Sequence, residues 1–112
     1  MLRTHNCGEL NKKHNGQVVT LTGWVHRIRS HGQIAFLDIR DRYGLIQVVV
    51  GDLLDNREEL LGKIKPEYVL QVIGLVRERP DGEVNPRLST GEIEVLAHAG
   101  AEFVADEVGR LC

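Results

Sequence analysis

The sequence predicts an all-β domain, a five-stranded Greek-key barrel with one short helix. Residues 18–50 contain three runs of alternating apolar and polar residues separated by short polar turns, which is the pattern of an antiparallel meander. A helical pattern follows at 55–64, and further alternating runs follow it at 68–79 and 92–97. The chain has 112 residues, which is enough for one domain with its own hydrophobic core.

The composition is that of an ordinary globular protein. Hydrophobic residues make up 42% and charged residues 27% of the chain, and no apolar run approaches the length of a membrane span. The first residues, MLRTHNCGEL, lack the apolar stretch of a secretory signal, so we expect a cytoplasmic location and no membrane partner. Cys7 and Cys112 lie far apart, which favours reduced thiols over a disulfide framework.

The net charge of -2 argues against a protein that coats nucleic acid by bulk attraction. The charge is uneven, however, because residues 24–44 contain four arginines against two aspartates, whereas the chain from residue 100 onward is acidic. The sequence is therefore compatible with a local basic surface.

The first strand follows a polar segment that we expect to cover one end of the sheet. Alternate positions from Val19 to Val25 point inward, and the same alternation would bring Arg27 and Arg29 into the core. Unpaired cations are unfavourable there. We therefore predict that the phase changes after Gly23 through a bend or a β-bulge.

The second strand, 33–40, and the third strand, 45–50, are joined by a hairpin turn in which Gly44 is expected to supply a positive backbone angle. The alternation predicts that these residues face the core: Ala35, Leu37 and Ile39 in the second strand, Ile46, Val48 and Val50 in the third, and Leu70, Val72 and Val76 in the fourth. Phe36 falls out of phase with the core-facing residues of the second strand. An aromatic side chain on the outer face of a sheet needs an explanation. Gln47 is predicted to lie beside it on the same face.

The last two strands follow the predicted helix. They place Arg77 and Arg79 from the fourth strand, and Glu94 from the fifth, on the outer face. We divide the chain into one domain at 1–98 and a tail at 99–112 in which apolar residues have helical spacing.

This order of elements predicts the OB-fold, a five-stranded barrel that commonly binds oligonucleotides on strands two and three and on the loops beside them. The predicted outer face combines a flat ring, an amide, guanidinium groups and a carboxylate, a set suited to unpaired bases. Its members are Phe36, Gln47, Arg77, Arg79 and Glu94, joined by Arg27 and Arg29 if the phase changes as predicted.

Each member also has a purely structural explanation. Phe36 is equally well explained as the cap of a small satellite core, and the arginines as solvated side chains or as partners of Asp38 and Glu94. The histidines and cysteines lack metal-ligand spacing, and the chain contains no phosphate-binding loop or nucleophile elbow. We therefore predict no metal, cofactor or catalytic site in this chain.

Several motifs, in order, resemble the N-terminal anticodon-binding domain of bacterial aspartyl-tRNA synthetases. They are THNCGEL, VTLTGWVHRIR, FLDIRDRYGLIQVV, VRERP and NPRLSTGEIEVLA. The resemblance covers about residues 3–98 and is specific, since the lysyl and asparaginyl enzymes share the barrel but match these motifs less closely.

The resemblance implies a role for each residue of the outer face. Phe36 would stack on the central uracil of the anticodon, and Gln47 would hydrogen-bond the edge of that base. Arg29 and Glu94 would contact the first base. Contacts to the third base and to the phosphate backbone would be made by Arg77, Arg79, Asn85 and Arg27.

The resemblance also bears on which tRNA is bound. His31 and Gly82 look like turn residues of relaxed family members that charge asparagine tRNA as well, whose anticodon differs at the third base. The expected partner is the anticodon loop of aspartate tRNA and, as a hypothesis, that of asparagine tRNA. The parent ligase would be a homodimer using ATP and magnesium in a separate catalytic domain, and this chain alone would be a monomeric module without catalytic activity.

The end of the chain, AEFVADEVGRLC, departs from the family because it lacks the usual linker sequence. We favour an excised domain, but a stand-alone relative stays open. Two other functions stay open as well. One is a single-strand binder of low sequence preference, and the other is a protein-interaction barrel whose arginine and glutamate face pairs with a partner chain.

Overall fold

The computed structural model describes residues 3–31, 34–51, 68–87 and 90–105, and these form a closed five-stranded barrel. Around the barrel the strands follow the order β1-β2-β3-β5-β4, in which β3 and β5 run parallel and the other pairs antiparallel. The predicted all-β barrel of the OB type is therefore confirmed. The strands are β1 (Val18–His31), β2 (Ile34–Asp41), β3 (Gly44–Val50), β4 (Val69–Glu78) and β5 (Ile93–Ala105).

The barrel interior is filled by the residues that the alternation assigned to it. The predicted inward residues of β2, β3 and β4 are all at most 1% exposed. Burying one such aliphatic side chain contributes roughly 1.5–3 kcal/mol, so this layer supplies much of the folding free energy. The buried members from these strands are Ala35, Leu37, Ile39, Ile46, Val48, Val50, Leu70, Val72 and Val76.

The predicted change of phase in β1 is a β-bulge, and it lies beyond Gly23. Val25 pairs with Ile39 and Arg27 pairs with Asp38, so His26 is the extra residue that has no partner in β2. Before the bulge the odd-numbered residues are buried, and after it Ile28 packs against the core. Arg27 and Arg29 therefore point away from the interior, as we expected because burying unpaired cations costs free energy.

The turn between β2 and β3 differs from the prediction for Gly44. Among the described glycines only Gly16 has a positive φ, of 87°. The hairpin is closed instead by the Asp41 carboxylate, whose Oδ1 accepts hydrogen bonds from the backbone N–H groups of Tyr43, at 2.8 Å, and Gly44, at 3.1 Å. Gly44 is required for a different reason, because a Cβ atom there would lie 2.7 Å from the Cα of Gly8.

The N-terminal segment packs on this hairpin. The Oδ2 atom of Asp41 accepts a hydrogen bond from the Cys7 backbone N–H at 2.9 Å and lies 3.3 Å from the Arg3 guanidinium. Cys7 and Leu10 are buried in the core. A one-turn 3-10 helix, Lys12–His14, follows and is capped by Asn11. Asp41 thus joins the N-terminal segment to the barrel.

The fifth strand is longer than predicted. It continues past residue 97 to Ala105 and pairs with β4, so residues 99–105, which were predicted to be tail, are strand and not helix. A 3-10 turn, Asp81–Glu83, occupies the predicted turn between β4 and β5. The predicted helix at 55–64 lies outside the described residues, as does the rest of the tail. No helix among the described residues is both long and apolar enough to span a membrane.

Candidate nucleic-acid interface

The outer face of the barrel carries a continuous chain of hydrogen bonds through four of the predicted site residues. The Arg29 guanidinium donates to Gln47 Oε1 at 2.8 Å, and Gln47 Nε2 donates to Glu94 Oε1 at 2.9 Å. Arg77 Nε then donates to Glu94 Oε2 at 2.6 Å. Side chains from β1, β3, β5 and β4 therefore converge on one surface, which we call the Gln47 network: Arg29, Gln47, Glu94 and Arg77.

The strand register explains why these residues meet. Arg29 pairs with Phe36 across β1 and β2, and Arg77 pairs with Glu94 across β4 and β5. The parallel pairing of β3 with β5 sets Gln47 and Glu94 side by side, each one residue before the paired Val48 and Val95. Facing residues in neighbouring strands lie about 4.5–5.5 Å apart, which is within reach of polar side chains.

Phe36 lies on this face, half-buried, and not in the core. The Arg29 guanidinium carbon lies 5.6 Å from the centre of the Phe36 ring, a cation–π geometry. The same guanidinium forms an ion pair with Asp38 at 3.2 Å. Asp38 and Gln47 therefore hold Arg29 over the ring, so the aromatic surface and the hydrogen-bonding groups form one site.

Glu94 is the most enclosed charged residue of the site, with 2% exposure. Burial of a carboxylate is unfavourable unless its oxygens accept hydrogen bonds, and here Arg77 and Gln47 supply one to each oxygen. The exposed part of the interface is mainly cationic, because Arg77 and Arg29 keep 47% and 41% of their side-chain surface exposed.

Arg79 is also buried, at 9% exposure, as is Gln47 at 6%, so three of the side chains predicted on the outer face are largely shielded from solvent. Its Nε donates to the Ile93 carbonyl at 3.0 Å, and its Nη1 lies 3.4 Å from the Glu83 carbonyl. Burial lowers the pKa of the Arg79 guanidinium, and the nearby Glu94 and Asp38 carboxylates oppose that shift. Arg79 thus fixes the loop between β4 and β5 while lining the cavities described next.

Two adjoining cavities open on this face. The first, of about 290 Å³, is lined by Phe36 and Glu83 together with Arg29, Gln47 and Arg79. The second, of about 270 Å³, is also lined by Arg29, Gln47 and Arg79. Its other lining residues are His26, Arg27, Asp38, Leu45 and Asn85.

The remaining predicted site residues are the loop and turn residues Asn85, Gly82 and His31. Asn85 lines the second cavity, and its side chain accepts a hydrogen bond from the Arg87 backbone N–H at 3.0 Å. Gly82 lies in the 3-10 turn, exposed, with open space where a Cβ atom would be. His31 is the last residue of β1, where its backbone pairs with Ile34, and its side chain is not among the described parts of the structure.

Three lining residues were not singled out from the sequence, namely His26, Glu83 and Leu45. Asp38 was named there only as a possible partner of an arginine, and it does pair with Arg29 at 3.2 Å. Asp38 was predictable, because the alternation of β2 already put it on the same face as Phe36. His26 was not, since its position depends on where the bulge lies. Among the described residues no group of three or more histidine, cysteine, aspartate or glutamate side chains could hold a metal ion.

The arrangement offers what an unpaired base requires. The Phe36 ring provides a stacking surface, and Gln47 provides both a donor and an acceptor. Arginine side chains surround both groups and can bind phosphate.

Comparison with known proteins shows which family the chain resembles. The chain is 55% identical over 97 residues to an aspartate–tRNA(Asp/Asn) ligase of Arthrobacter sp. (strain FB24), and 53% identical over 95 residues to that of Moorella thermoacetica. These matches cover 87% and 85% of this chain but only 15% and 16% of the ligases, so the chain spans about a sixth of their length. The resemblance to aspartyl-tRNA synthetases is confirmed.

A solved structure, asparaginyl-tRNA synthetase from Pyrococcus horikoshii, superposes with a TM-score of 0.76 at 28% identity, over 95% of this chain and 24% of the synthetase. A family model for tRNA anticodon domains, described as an OB-fold nucleic acid binding domain, matches residues 19–99. Because that match covers well over half of the 112 residues, the chain belongs to the tRNA anticodon family of OB-fold nucleic acid binding domains.

Proposed function

We propose that this chain recognises the anticodon loop of aspartate tRNA by stacking and hydrogen bonding, as a module of an aspartate–tRNA ligase. The observation that carries the proposal is the convergence of the Gln47 network on Phe36 at the outer face of the barrel. In this proposal, Phe36 stacks on the central base and Gln47 binds its edge. Arg29 and Glu94 contact the first base.

The hydrogen bonds of Gln47 are compatible with a uracil edge, and equally with guanine, whose N1–H lies beside the O6 carbonyl. A side-chain amide has two acceptor positions on its oxygen and two N–H donors. Arg29 occupies one acceptor position and Glu94 accepts from one donor, which leaves one acceptor and one donor for a ligand. Uracil presents one donor, N3–H, beside a carbonyl acceptor, so its edge complements the remaining groups of Gln47.

The network also holds the Gln47 amide in one orientation before a base binds. Because Arg29 and Glu94 fix the amide orientation, little side-chain entropy is lost when a base binds. A base with the reverse arrangement of donor and acceptor would leave polar groups unpaired in a nearly buried site, which is costly. The proposed specificity therefore comes from the two neighbours of Gln47 as much as from Gln47 itself.

We extend the proposal to the third base and the backbone. Arg77, Arg79 and Asn85 would contact that base and its phosphates, and Arg27 would contact the backbone. The names of the similar ligases include both aspartate and asparagine tRNA, which supports the hypothesis that His31 and Gly82 permit a different third base. Aspartate activation, with ATP and magnesium, would occur in another part of such a ligase.

The test is a titration of the chain with three anticodon stem-loops, for aspartate, asparagine and an unrelated amino acid. Wild type should bind the first two more tightly than the third. Phe36→Ala should weaken that binding by roughly 5- to 150-fold, since stacking on one aromatic ring is worth about 1–3 kcal/mol. Tyr43→Ala is the matched control, because Tyr43 is an exposed aromatic that contacts Arg3 and not the network.

Three outcomes would contradict the proposal. Equal binding of all three stem-loops with a steep salt dependence would indicate a single-strand binder of low sequence preference. Absence of RNA binding, together with a stable oligomer in solution where a monomer is expected, would indicate a protein-interaction barrel. Equal loss of binding in Phe36→Ala and Tyr43→Ala would show that the site is placed incorrectly.

A further inference from the structure

The bulge in β1 gives His26 an unusual position. In a regular strand, neighbouring residues point to opposite faces, so His26 and Arg27 would be separated by the sheet. Here His26 is the extra residue between Val25 and Arg27, and both His26 and Arg27 line the second cavity. A bulge commonly redirects a side chain at a functional site.

The second cavity adjoins the one that contains Phe36. The two share Arg29, Gln47 and Arg79 as lining residues. A nucleotide whose base stacks on Phe36 would therefore have the next part of its strand at the mouth of the second cavity.

The charges around His26 favour an anion. Three arginines line the cavity, Arg27 and Arg29 from β1 and Arg79 from the chain after β4. Its one acidic lining residue, Asp38 from β2, is already paired with Arg29 at 3.2 Å. The other lining groups, from β3 and the loop before β5, are uncharged: Leu45, Gln47 and Asn85.

We infer that His26 is a further RNA-contacting residue, which binds, together with Arg27, the phosphodiester next to the base stacked on Phe36. This inference rests on the proposed function and adds to it one protein residue, His26, and one group of the RNA, the phosphodiester. An imidazole donates a hydrogen bond to a phosphate oxygen, and its protonated form adds charge to that bond. Since imidazole is the side chain that commonly changes charge between pH 5 and 8, binding should tighten as the pH falls.

The test is a titration of the chain with the aspartate anticodon stem-loop between pH 5.5 and 8 at several salt concentrations. Wild type should bind roughly 2- to 5-fold more tightly at the acidic end, as expected for one partly exposed ionic contact. His26→Ala and His26→Asn should both lose this pH dependence. At the acidic end of this range each should also lower the salt slope of binding by up to about 0.7, the value for one ionic phosphate contact on a single strand.

His5→Asn is the matched control, because His5 lies in the N-terminal segment with its ring against His14. It should keep the wild-type pH profile, and urea unfolding of each variant checks that the fold is intact. A wild-type pH profile and salt slope in both His26 variants would overturn the inference. If Phe36→Ala still weakened binding in that case, the proposed function would stand, so the two failures are distinguishable.

Discussion

Glu94→Gln tests whether the Gln47 network stabilises the barrel in the absence of RNA. The Glu94 carboxylate accepts hydrogen bonds from Gln47 at 2.9 Å and from Arg77 at 2.6 Å, and it is 2% exposed. A glutamine in its place keeps the shape but has only one oxygen. Its amino group must then face either the Gln47 amide nitrogen or the Arg77 Nε, both of which are donors.

The expected loss follows from these contacts. A hydrogen bond to a charged group contributes about 1.5–3 kcal/mol, and a buried donor left without an acceptor costs a similar amount. Arg77 is 47% exposed, so water can replace the carboxylate on that side, which lowers the cost. We expect the free energy of unfolding to fall by about 2 kcal/mol.

Urea unfolding measures this change directly. The single tryptophan, Trp24, lies in β1 and reports on the barrel by its fluorescence. Glu92→Gln is the matched control, because Glu92 is 49% exposed and its partner Lys12, 3.3 Å away, is 58% exposed. The control should change the free energy of unfolding by less than about 0.5 kcal/mol.

The reasoning is refuted if Glu94→Gln destabilises the chain no more than Glu92→Gln does. A double-mutant cycle with Arg77→Met refines the test. If the two residues interact as the 2.6 Å contact indicates, their coupling energy should exceed about 0.5 kcal/mol. A coupling energy near zero would mean that Gln47 alone accounts for the loss.

Two further predictions concern residues outside the interface. Burial, reinforced by the Asp41 carboxylate, raises the pKa of the Cys7 thiol, so the folded chain keeps a proton that the unfolded chain releases above its ordinary pKa of 9.0. Stability should therefore fall by up to about 1.4 kcal/mol per pH unit as the pH rises above 9, and urea unfolding of Cys7→Ala should lack that part of the slope. Gly74→Ala should lower stability by about 1–3 kcal/mol, since its Cβ would lie 2.6 Å from the Leu96 carbonyl oxygen, whereas Gly82→Ala, with open space around it, should change thermal unfolding little.

The face that carries the candidate interface could be predicted from the sequence because its residues belong to regular strands. Phe36, Gln47 and Glu94 occupy positions of opposite phase to the core aliphatics, and the structure places all three on the outer face, where Phe36 is half-buried and Gln47 and Glu94 are 6% and 2% exposed. Arg79 was predicted with them and is 9% exposed, but its bonds to the Ile93 and Glu83 carbonyls depend on the path of the chain between β4 and β5, which alternation does not define. Gly44 was misinterpreted for a similar reason, because a carboxylate three residues earlier closes the turn.

The sequence by itself determined the succession of strands along the chain, the core-facing residues and the face that carries the polar site, because a period of two and the cost of burying charge leave few alternatives. Tertiary structure alone decided where β1 changes phase and which side chains bond to one another. The position of that change places His26 in the lining of the second cavity. Those outcomes depend on the pairing of β3 with β5 and of β4 with β5, between segments far apart in the chain. The local alternation of residue types carries no information about which distant segments pair, and the closed barrel fixes that pairing.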